Sequence, residues 1–157
     1  TNNNYFWEVL PKLYETESLL QCGPAEWKRF CVDKKIAITD LIARIDDADR
    51  NNECHVRVLA GYSDSELIRN FREYDVVNIA ALIESKPTIQ RVYLTTTAEL
   101  WERWWGPVRR WCQNNNKHCR ALLTPSKGAR FFMKKGANIS MPDFIFNDWE
   151  SKWRRDQ

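Results

Sequence analysis

A chain of 157 residues with 43% hydrophobic and 29% charged residues has a core large enough to remove about two-thirds of its unfolded surface from water. That balance excludes an intrinsically disordered segment. The net charge of +3 hides an asymmetry: residues 101–157 carry twelve Lys and Arg against five Asp and Glu (+7), and residues 1–100 carry twelve against sixteen (−4).

The basic C-terminal third fits either a phosphate-binding footprint or a solvated helix face. No apolar run reaches the ~20 residues of a membrane-spanning helix. The start, Thr1-Asn2-Asn3-Asn4, lacks the basic and apolar regions of a secretory leader. The length fits one domain over residues 1–157, and the missing initiator Met suggests that residues precede Thr1. Six of the eight tryptophans follow residue 100; core packing accounts for most of them, and one or two can serve as base-stacking surfaces. Five irregularly spaced cysteines do not make a disulfide framework and fit reduced thiols in the cytoplasm, or in the nucleus of a eukaryotic cell. Cys54-His55 and His118-Cys119 lack metal-ligand spacing, so no metal is expected.

In chain order, Asn4 opens a helix whose apolar stripe is Phe6, Trp7, Leu10 and Leu13. Pro24 starts a short helix carrying Trp27 and Phe30. Lys35-Ile36-Ala37-Ile38 reads as a short buried strand, and Asp40 caps or anchors Leu41-Ile42-Ala43. A polar loop spans Asp46 to Glu53. Ser63 and Glu66 fit a capping box for a helix with Leu67, Ile68 and Phe71. Asn78 caps a further helix, which Lys86-Pro87 ends. Gln90–Thr95 is the clearest strand. A long amphipathic helix begins near Ala98, and Gly106-Pro107 is expected to split or kink it. Arg120–Leu123 forms another strand, broken by Thr124–Gly128, and Ile145, Trp149 and Trp153 recur on a last helix. Helices alternating with short apolar strands predict an α/β domain, a three-layer α/β/α arrangement with a short, mostly parallel central sheet. Ligands of such sheets sit beyond the carboxyl ends of the strands, here Thr95–Thr97 and Thr124–Gly128.

Five segments resemble, in order, those of the uracil-DNA glycosylase superfamily, in its hypoxanthine-DNA glycosylase and mismatch-specific branch. Asn4-Tyr5-Phe6-Trp7 resembles the N-x-F-W signature. Ile36–Ile42 is similar to I-A-L-W-D-V-I, with Thr39 in place of Trp, and Tyr62–Ile68 is similar to S-L-D-S-x-I. Asn78 precedes a helix and then a strand, as in that family. Leu123–Arg130 occupies the place of L-P-S-T-S-P-A-N, the loop that probes the minor groove. Three departures stand beside these. The family's Gly- and Pro-rich loop and first strand would lie upstream of Thr1, the last Asn of the groove loop is Arg130, and Thr95-Thr96 stands where Asn-Gly tends to follow the strand.

The resemblance implies a monofunctional DNA glycosylase of base excision repair. It would be a monomer without metal or cofactor, acting on DNA that contains a deaminated or mismatched base such as uracil or hypoxanthine. It implies that Asn4 positions the attacking water and that Tyr5 or Phe6 stacks on the flipped base. Ser126 and Lys127 would enter the groove, and Lys127, Arg130, Lys134 and Lys135 would grip phosphates. Each residue has a plainer reading. Asn4 is a helix cap, with Asn2 and Asn3 as neighbours in register, Phe6 is a core side chain, and the cations form a solvated basic loop. Asp40 is a general base or a loop anchor, and His55 and His118 read as surface residues. A catalytically degenerate glycosylase-like module that binds nucleic acid or protein is the alternative. Ser-His-Asp and Cys-His catalysis lack a histidine in a recognisable setting, and no phosphate- or dinucleotide-binding glycine motif is present.

Overall fold

The computed structural model describes residues 4–61 and 63–153. Its elements are α1 (Phe6–Lys12), α2 (Pro24–Asp33), β1 (Ile42–Ile45), α3 (Glu53–Ala60), α4 (Asp64–Asn70), β2 (Tyr74–Val76), α5 (Ile79–Ser85), β3 (Arg91–Leu94), a 3₁₀ turn (Glu99–Trp101), α6 (Glu102–Asn114), β4 (His118–Ala121), a longer 3₁₀ segment (Lys127–Phe132) and α7 (Met141–Lys152). The protein is thus of mixed helix and strand. Its described strands make two separate pairs. β1 and β2 are antiparallel, running from Ile42 opposite Val76 to Ile45 opposite Tyr74. β3 and β4 are parallel, from Arg91 opposite His118 to Leu94 opposite Ala121. Only the second pair has the parallel arrangement expected; β1 and β2 are antiparallel although α3 and α4 lie between them in sequence.

The chain divides into two compact units: Thr1–Ile38 with Arg91–Thr97 and Lys117–Gln157, and Thr39–Gln90 with Ala98–Asn116. In the first unit, α1 buries Val9, Leu10 and Leu13 in a cluster with Phe30, Leu122, Leu123, Ala129, Ile145 and Trp149. Burial of each large aliphatic side chain contributes about 1.5–3 kcal/mol. The stripe read from the sequence therefore faces the core, and α1 packs on α7. Trp7 stacks on Trp27 at 5.0 Å, and Trp153 stacks on Tyr93 at 4.3 Å.

The strand expected at Lys35–Ile38 is absent. Lys35 has φ 55°. Its N–H donates to the Val32 carbonyl at 3.2 Å, and the Ile36 N–H donates to the Cys31 carbonyl at 2.8 Å. These two bonds close α2 in a Schellman motif, with a lysine in the left-handed position that glycine usually takes. Ile36 serves as the apolar residue that follows the cap and packs on the core, and Ile38 is 53% exposed. The next strand begins only at Ile42.

In the second unit the capping residues act as expected. Asn78 Oδ1 accepts from Ala81 N–H at 3.1 Å and Ser63 Oγ accepts from Glu66 N–H at 3.5 Å, but Glu66 turns its carboxylate to Arg69, so only half of the capping box forms. The loop after Asp46 leads into α3, a helix that the sequence reading did not anticipate. Asn52 Oδ1 caps it by accepting from the N–H groups of Cys54 and His55. Gly106-Pro107 does not split the long helix: α6 continues from Glu102 to Asn114. Gly106 leaves room for the carboxylate of Glu102, since a Cβ there would lie 2.8 Å from Glu102 Oε1. That carboxylate reaches past the glycine to accept from Arg109 Nη1 at 3.0 Å.

Two expected outcomes arise from this framework. Lys12 Nζ donates to Asp143 Oδ1 at 2.7 Å, joining α1 to α7. The Asp143 carboxyl is held below its usual range by the bond from Lys12, then by the Ser140 hydroxyl, then by the charge of Lys12. A depressed carboxylate stabilises fully above its unfolded value of about 3.9, and that part is lost as the pH falls through the native value. Both side chains are half-exposed, so the pair contributes no more than about 1 kcal/mol. Urea titrations at falling pH are expected to show a shallower acid limb for Asp143→Asn than for the wild type. The second outcome concerns thiols, all five of which are free. Cys54 is exposed, Cys112 and Cys119 are buried, and burial raises the Cys31 thiol, lowering its thiolate fraction. Iodoacetamide mapping is expected to find Cys54 modified first, with Cys112 and Cys119 reacting only on unfolding.

Candidate functional site

The two segments that the resemblance places in the site meet in the first unit. Asn4 forms an isolated antiparallel bridge with Ser126, and the next residue, Tyr5, donates its N–H to the Pro125 carbonyl at 2.6 Å. The side chain of Asn4 is held as well: its Oδ1 accepts from the Phe6 N–H at 2.9 Å. That bond engages one of the two lone pairs of the amide oxygen and closes a short Asx turn one residue before the N-cap of α1, Tyr5, which has no side-chain cap bond; the helix-cap reading of Asn4 is thus displaced by one residue.

Ser126 precedes the 3₁₀ segment and caps it. Its Oγ accepts from Gly128 N–H at 3.2 Å, its carbonyl accepts from Ala129 N–H at 3.0 Å, and its hydroxyl lies 3.0 Å from that of Thr124. Ala129 is fully buried and anchors the segment in the core. Lys127 and Arg130, three residues apart, share one face of a helix with three residues per turn. Both are exposed, as are Lys134 and Lys135.

The loop is placed by residues to which the sequence reading assigned no role in it. Leu123 follows β4, and α7 takes both of its backbone groups: Asp148 Oδ2 accepts its N–H at 2.8 Å, and Trp149 Nε1 donates to its carbonyl at 2.7 Å. Two adjacent side chains of one helix thus do for Leu123 what a neighbouring strand would do. Lys152 Nζ in turn donates to Asp148 Oδ1 at 2.6 Å. No local motif announces such a clamp, because the partners lie 25 and 26 residues apart in sequence.

Of the two aromatic candidates, Phe6 has its ring edge-on to Trp7 at 5.1 Å and to Trp149 at 5.8 Å, geometry typical of a core aromatic. Tyr5 is half-buried against the same cluster. Asp40 belongs to the second unit and is exposed. His55 is not a plain surface residue: its Nδ1 accepts from Asp49 N–H at 3.1 Å, and its ring meets Phe71 edge-on. His118 is half-buried and edge-on to Tyr93. Among the described residues no group of three or more His, Cys, Asp or Glu is placed to hold a metal ion, and no helix is long and apolar enough to cross a membrane. Asn2 and Asn3, the neighbours considered in register with Asn4, and Tyr62, the first residue of the third resembling segment, lie outside the described residues.

No family model, no curated protein and no solved structure matches this chain.

Proposed function

We propose that this chain is a uracil-DNA glycosylase-like protein that hydrolyses the N-glycosidic bond of a deaminated base in DNA. The supporting observation is the pairing of Asn4 and Tyr5 with Pro125 and Ser126, which joins the two segments that the resemblance assigns to water positioning and to groove entry. The reading includes a three-layer α/β/α organisation in which β3 and β4 belong to the parallel sheet.

In this mechanism the damaged base leaves the stack at a cost of a few kcal/mol, and Tyr5 offers it an aromatic face. Asn4 orients a water below the sugar through its amide. The glycosidic bond breaks with its electron pair passing to the base, the sugar gains oxocarbenium character, and the water adds to the anomeric carbon, its proton passing through solvent to the departing base anion. An amide needs no tuned pKa for this, since it acts as an acceptor that orients rather than as a strong base. Lys127, Arg130, Lys134 and Lys135 hold the flanking phosphates, a sequence-independent term that weakens with salt.

The deciding experiment incubates the protein with duplex and single-stranded oligonucleotides carrying uracil or hypoxanthine and measures free base. Release of either base supports the reading, and release of neither from any substrate removes it. A second reading, a nucleic-acid binding module without catalysis, is favoured by one observation: Asn4 Oδ1 and Ser126 Oγ are both engaged by nearby backbone N–H groups. It expects salt-dependent DNA binding with no base release.

A further inference from the structure

Phe131 is 93% exposed and Phe132 is 58% exposed. Single exposed apolar residues are ordinary on a protein surface, but two adjacent phenylalanines within a cationic segment are not explained by packing. No acidic residue occurs between Glu102 and Asp143. Lys127 and Arg130 precede the pair, and Lys134 and Lys135 follow it, in a turn closed by the bond from Ala137 N–H to the Lys134 carbonyl at 3.2 Å. Gly136, with φ 82°, supplies the left-handed residue of that turn. None of the four cations makes an ion pair among the described residues, so their charge is available to a polyanion.

We propose that Phe131 is a stacking platform for an unpaired base of single-stranded nucleic acid, with Lys127, Arg130, Lys134 and Lys135 engaging the phosphates on either side. The proposal rests on the nucleic-acid part of the functional reading and not on base release. Charge complementarity selects a polyanion, and the ring selects one that presents flat π faces. A duplex hides those faces in its stack and a single strand displays them. The four cations supply the salt-dependent part of the affinity, and the ring supplies a part that salt leaves untouched.

The test is fluorescence anisotropy of the full chain with a labelled oligothymidylate and with a duplex of equal length, over a range of salt. Tighter binding of the single strand is expected. Phe131→Ala is expected to weaken that binding about tenfold without changing its salt slope. The side chain is solvated, so its removal leaves the fold intact. Phe131→Leu keeps apolar bulk but has no ring face and is expected to bind like the alanine variant. Lys134→Ala with Lys135→Ala is expected to flatten the salt slope by roughly one to two contacts. Wild-type binding by either Phe131 variant, or equal binding of duplex and single strand, overturns the proposal. So does a Phe131→Ala variant that loses binding to phosphatidylserine vesicles while keeping oligonucleotide binding, which would assign the surface to a membrane. Absence of base release with all the expected binding results intact removes the glycosylase reading alone.

Discussion

Asn4→Ala is expected to lower base release from uracil- or hypoxanthine-containing DNA by roughly a hundredfold or more, the scale on which positioned groups contribute to proton-transfer steps. The same change removes the acceptor for the Phe6 N–H, so it also lowers stability by about 1 kcal/mol, the scale of one hydrogen bond. A second variant separates the two effects. A serine hydroxyl can accept from the same N–H in the equivalent short turn, but it is too short to place a water where the amide reaches. Asn4→Ser is therefore expected to melt like the wild type and to release base as poorly as Asn4→Ala. If Asn4→Ser retains full activity, Asn4 only closes the turn before α1 and the water is positioned elsewhere.

The largest expected loss of stability comes from Trp149→Ala. Trp149 is fully buried, packs edge-on with Phe6 and donates to the Leu123 carbonyl. Truncation removes a large apolar side chain from the core, which costs about 3–5 kcal/mol, and leaves a buried carbonyl without that donor, a penalty of about 1–3 kcal/mol that is not fully additive. A fall in melting temperature on the order of 10 °C is expected by calorimetry. Trp149→Phe retains an aromatic ring without the N–H and is expected to lose only part of this. A Trp149→Ala protein within about 1 kcal/mol of the wild type would show that the clamp on Leu123 contributes little to the fold.

Local chemistry was readable where one short segment determines its own conformation. Asn78 and Ser63 cap the helices they precede, the stripe of α1 faces the core, and β3 lies within the segment read as a strand, because caps and periodicity act over a few residues. What the sequence hid was tertiary. Ile36 and Ile38 are good strand formers, yet Lys35 adopts a left-handed conformation to finish α2 and takes Ile36 with it. α3 has no buried residue, and its Cys54, Val56 and Val58 alternate with polar residues as in a strand, so the local pattern did not mark it as a helix. Gly106-Pro107 looked like a break, but the space beside the glycine is used by Glu102.

The candidate site divides in the same way. Motif and charge name Asn4, Ser126 and the four cations as candidates, and the pairing of the first two is a fact of the fold. The clamp by Asp148 and Trp149 had no local signal, since its partners are joined only once α7 docks. Phe131 and Phe132 carry a signal of their own: aromatic residues flanked by cations, with no period that would bury them.

The bond from Tyr5 N–H to the Pro125 carbonyl also makes a reporter of loop opening. That proton is shielded only while the N-terminal segment and the loop remain together, and it exchanges with deuterated solvent when they separate. Its exchange rate, followed by nuclear magnetic resonance beside those of the α1 interior, measures the free energy of local opening separately from global unfolding. A bound oligonucleotide that holds the two segments together would slow exchange at this one amide while leaving faster-exchanging surface sites unchanged.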